Sequence, residues 1–447
     1  MPADRAKSSS PLARIMANTA WLIGGKGFGA VCSIVYLAIL TRTLGLKGFG
    51  HFALIFSTAE ALIAVAGFQT WRVVVRYGAS HVHDKNWAAF GRLGMLAGML
   101  DAVGAVCGCI LAAVVFFGFA HLLELNTDYI LPGFLFCCAS LWALVSAPTG
   151  IVRTLNQFQM AVYVEAVVPL GRLIGAVTVW LTGPSVERFL IVWAVVDLLE
   201  AVCYWAMARR LCPEAVRLSY LRDYRQTLRE NAGLWRFFFV TYAGSTLDAV
   251  TKNGPLLIVG AILGTRAAGL YRLANQLSQA LSKFSTLLTR AVYAEISRMR
   301  VASTLQEFRR LALQTSLIAG AGGVVVVVIA LTAGRSLLGL IGGEAFEGGA
   351  AILVPLAIAA SFDLASVAFE PVLHSTGRAQ LSLMARLIAI VALGVGLWFL
   401  IWTGPSGAAW AVALEAAALY VAMGLMAFVT LRRIKGDEPL RPASTPS

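Results

Sequence analysis

The sequence predicts an all-α membrane protein with twelve transmembrane helices, arranged as two six-helix lobes of the same orientation. Three observations carry that prediction. Of the 447 residues, 59% are hydrophobic and 13% charged, with a mean hydropathy of +0.77, against roughly 25% charged residues in soluble domains. Apolar runs of about 20 residues, enough to cross roughly 30 Å of hydrocarbon, recur from residue 18 to residue 430 and leave no room for a sizeable soluble domain. A short polar turn, Leu44-Gly45-Leu46-Lys47-Gly48-Phe49-Gly50-His51-Phe52, returns 219 positions later as Leu263-Gly264-Thr265-Arg266-Ala267-Ala268-Gly269-Leu270-Tyr271. Similarity at a fixed offset marks one architectural unit used twice.

Taken in order, the predicted spans of the first lobe are 18–40, 51–70, 93–119, 129–151, 161–181 and 187–208. Those of the second are 237–263, 269–289, 313–334, 350–373, 383–402 and 406–430. Arg5, Lys7 and Arg14 before the first span resemble a signal sequence. The run is about 23 residues long, however, and Thr41-Arg42-Thr43 follows it rather than a small-residue cleavage site, so it stays as a first span. The chain then divides into an N-terminal segment (1–17), an N-lobe (18–208), a basic linker (209–236), a C-lobe (237–430) and a Pro- and Ser-containing tail (431–447).

Alternate connections are rich in cations: Arg72, Arg76, Lys85 and Arg92; Arg153; Arg209, Arg210, Arg217, Arg222, Arg225, Arg229 and Arg236; Arg298, Arg300, Arg309 and Arg310; Arg378; and Arg432, Arg433, Lys435 and Arg441. By the positive-inside rule these are the cytoplasmic sides, and both termini are inside. Topology therefore accounts for the formal charge of +13, and no nucleic-acid partner is needed. In the linker, Leu218, Leu221, Tyr224 and Leu228 fall near one helical face among arginines, which reads as a basic amphipathic segment on the inner leaflet. The seven cysteines lie in or beside apolar runs and read as small packing residues.

The repeat extends beyond the opening turn. Phe90-x-Arg92-Leu93 matches Phe308-x-Arg310-Leu311, Pro132 and Pro148 match Pro355 and Pro371, and Arg172-Leu173-Ile174 matches Arg386-Leu387-Ile388. Gly183-Pro184-Ser185 returns as Gly404-Pro405-Ser406, and Trp193-Ala194-Val195 as Trp410-Ala411-Val412. Six matches in order, with little drift in offset, describe two halves related by an axis along the membrane normal.

Charges within spans cost about 2.5–3.5 kcal/mol each on insertion scales and face a partner or water. In the eighth span Arg272, Gln276, Gln279, Lys283 and Arg290 fall within about 40° of one line, over roughly 27 Å. Such a stripe either lines an aqueous pathway for something anionic or forms a polar seam paired with acids elsewhere. Asp248 and Lys252, one helical turn apart before Pro255, either pair with each other or contact cargo at a proline kink. Lys26 in the first span either pairs with Glu60 of the second or faces a cavity. Glu60, Asp101, Asp197, Glu200, Asp363, Glu370 and Glu415 are candidate proton or cation sites, or helix-packing groups. Of the acids, Glu60, Asp248 and Asp363 are the preferred ion-coupling candidates. No phosphate-binding loop, metal-ligand spacing or acid pair in a long external loop is present, so the expectation is a non-enzyme without cofactor or metal.

The blocks Asn18-Thr19-Ala20-Trp21-Leu22, Thr41-Arg42-Thr43-Leu44-Gly45 to Phe49-Gly50, and Gly269-Leu270-Tyr271 resemble the polysaccharide (O-antigen type) flippases. These belong to the multidrug/oligosaccharidyl-lipid/polysaccharide exporter superfamily. The resemblance implies two lobes around a central cavity that opens alternately to each side of a bacterial inner membrane. It also implies an undecaprenyl-diphosphate-linked oligosaccharide as cargo, for lipopolysaccharide or exopolysaccharide assembly, with membrane lipids, H+ or Na+, and other polysaccharide-assembly membrane proteins as partners. On that implication Lys26, Lys252, Lys283, Arg290, Arg272, Gln276 and Gln279 would meet the anionic headgroup. A cation-coupled small-molecule exporter or lipid II flippase shares the fold and is one alternative; a membrane-embedded glycosyltransferase or polymerase is another. The asymmetry between the lobes points to the function, since Ala53, Ser57, Glu60, Ala64 and Trp71 stand where the eighth span has Arg272, Gln276, Gln279, Lys283 and Arg290.

Overall fold

The computed structural model describes residues 11–119, 125–298, 305–366, 369, 373 and 379–433. Their side chains are described except at 11–26, 158, 284–313, 315, 379 and 431–433. All regular structure among the described residues is helical. The elements that matter here are α1 (Pro11–Ala66), α2 (Trp71–His83), α3 (Trp87–Ala113), α4 (Ile130–Trp142), α5 (Ser146–Thr154), α6 (Phe158–Glu165), α7 (Val167–Thr182) and α8 (Val186–Leu211). After them come α9 (Tyr224–Glu230), α10 (Leu234–Arg298), α11 (Leu305–Gly342), α12 (Ala350–Ser366), α13 (Ala379–Leu400) and α14 (Pro405–Arg433).

Ten described segments are long and apolar enough to cross a bilayer. Two of them, Gly27–Ala66 and Leu234–Lys283, run through Gly45 (φ 63°, ψ −178°) and Gly264 (φ 83°, ψ 175°). Each is therefore a pair of spans, and the total is twelve. Gly45 and Gly264 are the repeat-related glycines of the opening turn, and both hold a left-handed φ that a Cβ would strain. Gly183 and Gly404, matched in the same way, also share positive φ.

Several spans are interrupted where hydropathy runs on. The fourth is expected to be continuous over 129–151, yet it breaks between α4 and α5. Pro148 has no N–H to give the Leu144 carbonyl, and Trp205 Nε1 donates to that oxygen instead at 2.9 Å. The second span ends at Ala66, four residues early. Thr70 beyond it is stitched to the third and fourth spans: its hydroxyl donates to Asp101 at 2.7 Å, and Asp101 also accepts from the Ala147 N–H at 2.8 Å. Asp101 is buried, accepts from the first turn of α5 and holds the Thr70 hydroxyl before α2, which is how an acid in hydrocarbon is satisfied.

The chain packs as two compact units. One comprises Met1–Leu40, Leu62–Phe116 and Leu131–Ser245; the other comprises Thr41–Ala61, Phe117–Ile130 and Thr246–Ser447. Within the second unit the two repeat-related corners touch each other reciprocally. A Cβ on Gly50 would lie 1.9 Å from the Thr265 carbonyl oxygen, and one on Gly269 would lie 2.8 Å from that of Leu46. Positions 46 and 50 correspond to 265 and 269 in the repeat. The first corner also closes the end of α11: Arg42 Nη2 donates to the Leu340 carbonyl at 2.6 Å and Thr41 to that of Ile341 at 3.1 Å. A cation on an otherwise cation-poor side is thereby explained as a helix C-cap.

Gly50→Ala forces the corners apart and is expected to cost about 1–3 kcal/mol, lowering the unfolding temperature in detergent. Gly244→Ala, with nothing within 4 Å of its Cβ, should be neutral or stabilising by up to about 1 kcal/mol.

Candidate functional site

Proline and polar residues at helical spacing build one cavity inside the second unit. On the seventh-span half of α10, Asp248, Lys252 and Pro255 share a face at i, i+4 and i+7. On its eighth-span half Tyr271, Asn275, Ser278 and Ser282 do the same, with Gln279 and Lys283 beside them. Together with Asp363 of α12, Arg386 of α13 and Glu415 of α14, these residues line a cavity of about 630 Å³. Pro255 lies inside α10, so the Thr251 carbonyl at the cavity wall loses its helical donor.

The charges in this cavity balance. Arg386 Nη1 is paired with Asp248, so Asp248 does not make the one-turn pair with Lys252 that the spacing allows. The remaining ionisable lining groups are Lys252, Lys283, Asp363 and Glu415. Among the described residues none of these four has an ion pair within 4 Å. Lys252, Lys283 and Asp363 are exposed to the open space, and Glu415 is half-buried.

The eighth-span stripe is divided by the structure. Gln279 and Lys283 face the cavity, and Gln279 Nε2 reaches Asn275 Oδ1 at 3.4 Å. Arg272 turns away: its Nη1 lies 3.3 Å from Glu60 Oε2 and 3.3 Å from Ser57 Oγ, and its guanidinium sits 5.0 Å over the Phe56 ring. Arg272 and Glu60 thus form a polar seam between the second and eighth spans, away from the cavity lining. Of the two readings of the stripe, Arg272 fits the polar seam, and Gln279 and Lys283 fit the cavity lining. Gln276 is also absent from the lining, and its Oε1 is buried without a hydrogen-bond partner among the described atoms. The backbone at Lys26 is helical, but its side chain and that of Arg290 lie outside the described residues, as does Glu370.

Two cavity groups, Arg386 and Glu415, were outside the preferred site set. Each was visible as a charge inside an apolar span, and Arg386 also as the repeat partner of Arg172. In the first unit Arg172 is likewise paired, to Asp197 at 2.8 Å, but on the next span, α8, whereas Arg386 pairs back to the seventh span. Asp197 also accepts from Ser140 at 3.4 Å, and Arg172 stacks 5.5 Å over Trp193.

A model of the family described as "Polysaccharide biosynthesis protein" matches residues 15–300, well over half of the chain. The chain belongs to that family. It is 26% identical over 333 residues to the inner membrane protein YghQ of Escherichia coli (strain K12), covering 74% of this chain and 92% of that protein. Its fold is that of the multidrug/oligosaccharidyl-lipid/polysaccharide exporter superfamily. The lipid II flippase MurJ in an inward closed conformation superimposes with a TM-score of 0.69 at 10% identity, over 91% of this chain and 87% of that one. An inward-facing multidrug resistance MATE family transporter superimposes at 0.63 and 13% identity, over 90% of this chain and 94% of that one.

Asp197→Ala removes the carboxylate that pairs with Arg172, whose side chain is 14% exposed, which should cost about 3–5 kcal/mol of stability. Arg335→Ala removes a pair whose arginine is 77% exposed and should change stability by less than about 1 kcal/mol. Chemical denaturation of the two variants in detergent checks the contrast.

Proposed function

We propose that this protein is an alternating-access flippase that moves an undecaprenyl-diphosphate-linked oligosaccharide from the inner to the outer leaflet of a bacterial inner membrane, for surface polysaccharide assembly. The observation that carries this reading is the pair of lysines, Lys252 and Lys283, that share one cavity with no ion pair within 4 Å among the described residues, in a chain of the polysaccharide biosynthesis family. A diphosphate is doubly suited to them. It offers several acceptor oxygens for charge-assisted hydrogen bonds, and away from bulk water each ammonium–phosphate attraction is several times stronger than in solution. Asn275, Ser278, Ser282 and Gln279 line the same wall and supply donors and acceptors for sugar hydroxyls, while the prenyl tail stays in the bilayer.

In this reading Asp363 and Glu415 are the coupling acids. Protonation or Na+ binding there would raise the net positive charge of the cavity and strengthen its hold on the diphosphate. Release of the proton or ion would weaken it. Asp248 is less suited to that role because Arg386 already holds it. In this reading both termini and the arginine-rich connections lie on the cytoplasmic side, as the positive-inside rule expects.

The cavity holds as many acids as cations, and this favours a second reading, a cation-coupled exporter of small molecules with the same fold. The cargo separates the two. Deleting the protein should make lipid-linked oligosaccharide build up on the cytoplasmic face, and normal surface polymer in the deletion strain would contradict the flippase reading. Lys252→Ala or Lys283→Ala should each lower export at least about tenfold, on the basis of roughly 1.5–3 kcal/mol for a hydrogen bond to a charged group, with normal abundance in the membrane. Loss of abundance instead would assign the lysines to folding.

A further inference from the structure

The linker between the sixth and seventh spans, part of the first unit, is clasped to α2 and α3 on one side and, among the described residues, uncovered on the other. Arg92 of α3 donates to both carboxylate oxygens of Glu230, at 3.1 and 2.5 Å. His81 Nε2 and Asn231 Oδ1 lie 3.0 Å apart. A Cβ on Gly91 would come within 2.5 Å of the Glu214 carbonyl oxygen, so the linker backbone rests directly on α3. Leu228 packs inward against Leu93, Leu234 and Phe238. It therefore does not belong to the outer face that an α-helical reading of this stretch gives it.

The other three apolar residues point outward. Leu218–Asp223 is a 3₁₀ helix, in which residues three apart eclipse one another. Leu218, Leu221 and Tyr224 therefore form one row, 72%, 37% and 41% exposed. All seven arginines of the segment, Arg209, Arg210, Arg217, Arg222, Arg225, Arg229 and Arg236, are exposed. Its only acids are Glu214, Asp223 and Glu230, and Arg92 holds Glu230. Trp87 and Trp235, at the starts of α3 and α10, are each 40% exposed. Because the segment begins where α8 ends and stops where α10 begins, it lies at the bilayer surface.

We propose that this face is a docking site for the headgroups of anionic phospholipids in the leaflet beside it. Leu218, Leu221 and Tyr224 insert to the depth of the acyl boundary, where an aromatic with a polar tip is most at home. Arg217, Arg222 and Arg225 take the phosphates in the planar, forked geometry that guanidinium suits. The charge surplus selects an acidic leaflet over a neutral one, and the clasp to α3 keeps the face presented without further ordering of the chain.

Hydrogen exchange of backbone amides 217–229 tests this in the full-length protein, in nanodiscs of phosphatidylcholine alone or mixed with phosphatidylglycerol. Exchange is expected to be slower in the acidic discs, with the difference lost at high salt and reduced about fivefold by each of Arg222→Gln and Arg225→Gln. Leu218→Ser should speed exchange in both lipids. Equal exchange in the two compositions, or glutamine variants indistinguishable from the parent, would overturn the proposal. Protection seen in native membranes but not in acidic discs would overturn it too, and would point to a protein partner. Should a glutamine variant loosen the clasp itself, seen as faster exchange around Arg92, the Arg222→Lys and Arg225→Lys pair keeps the charge and must retain the preference for acidic lipid.

Discussion

Two glycines at the same point of each repeat, Gly50 and Gly269, let the backbones of the first and seventh-to-eighth corners touch, and much of the second unit follows from that contact. It starts the second and eighth spans side by side. Arg272, less than one turn past Gly269, then meets Phe56, Ser57 and Glu60 rather than open space. With that face of the eighth span committed to a neighbour, the adjacent face carrying Tyr271, Asn275, Ser278 and Ser282 forms the cavity wall. A close approach of two main chains at one end of the bundle thus decides which side chains are free at its middle.

The charges inside the bilayer sort into two kinds by their partners. Asp101, Asp197 with Arg172, and Glu60 with Arg272 each have a local partner, and they hold helix breaks and helix neighbours in place. Lys252, Lys283, Asp363 and Glu415 share a cavity with no ion pair within 4 Å among the described residues. A group paid for in this way is kept for what it does to a visitor, since solvent in the cavity only partly offsets the cost of placing it there. Arg386 stands between the kinds: it is the repeat counterpart of structural Arg172, yet its acid, Asp248, lies on the span that carries Pro255.

The architecture was legible in the sequence because a hydrocarbon slab imposes one length and one composition on every crossing, and because the repeat kept its marks. Gly45 and Gly264, matched by sequence, hold the same left-handed turn. The site was legible only in part. A helical wheel relates Arg272 to Lys283 but does not say which neighbour each will meet, and Glu60 is 212 positions away in sequence. Asp248 had a partner one turn on in Lys252, but an arginine 138 positions away took it. The break before Pro148 needed the Trp205 indole, a contact that no local pattern announces. In the linker the arginines were evident, but the 3₁₀ geometry that separates Leu228 from Leu218, Leu221 and Tyr224 was not.

The account stands most directly on movement of the cargo itself. Purified protein in sealed vesicles, loaded with a fluorescent polyprenyl-diphosphate oligosaccharide in both leaflets, is to be challenged with a membrane-impermeant glycosidase. With the protein present, the pool in the inner leaflet should become accessible, faster when a proton or sodium gradient is imposed. An inner-leaflet pool that stays protected in vesicles where the protein is folded and inserted would contradict the account.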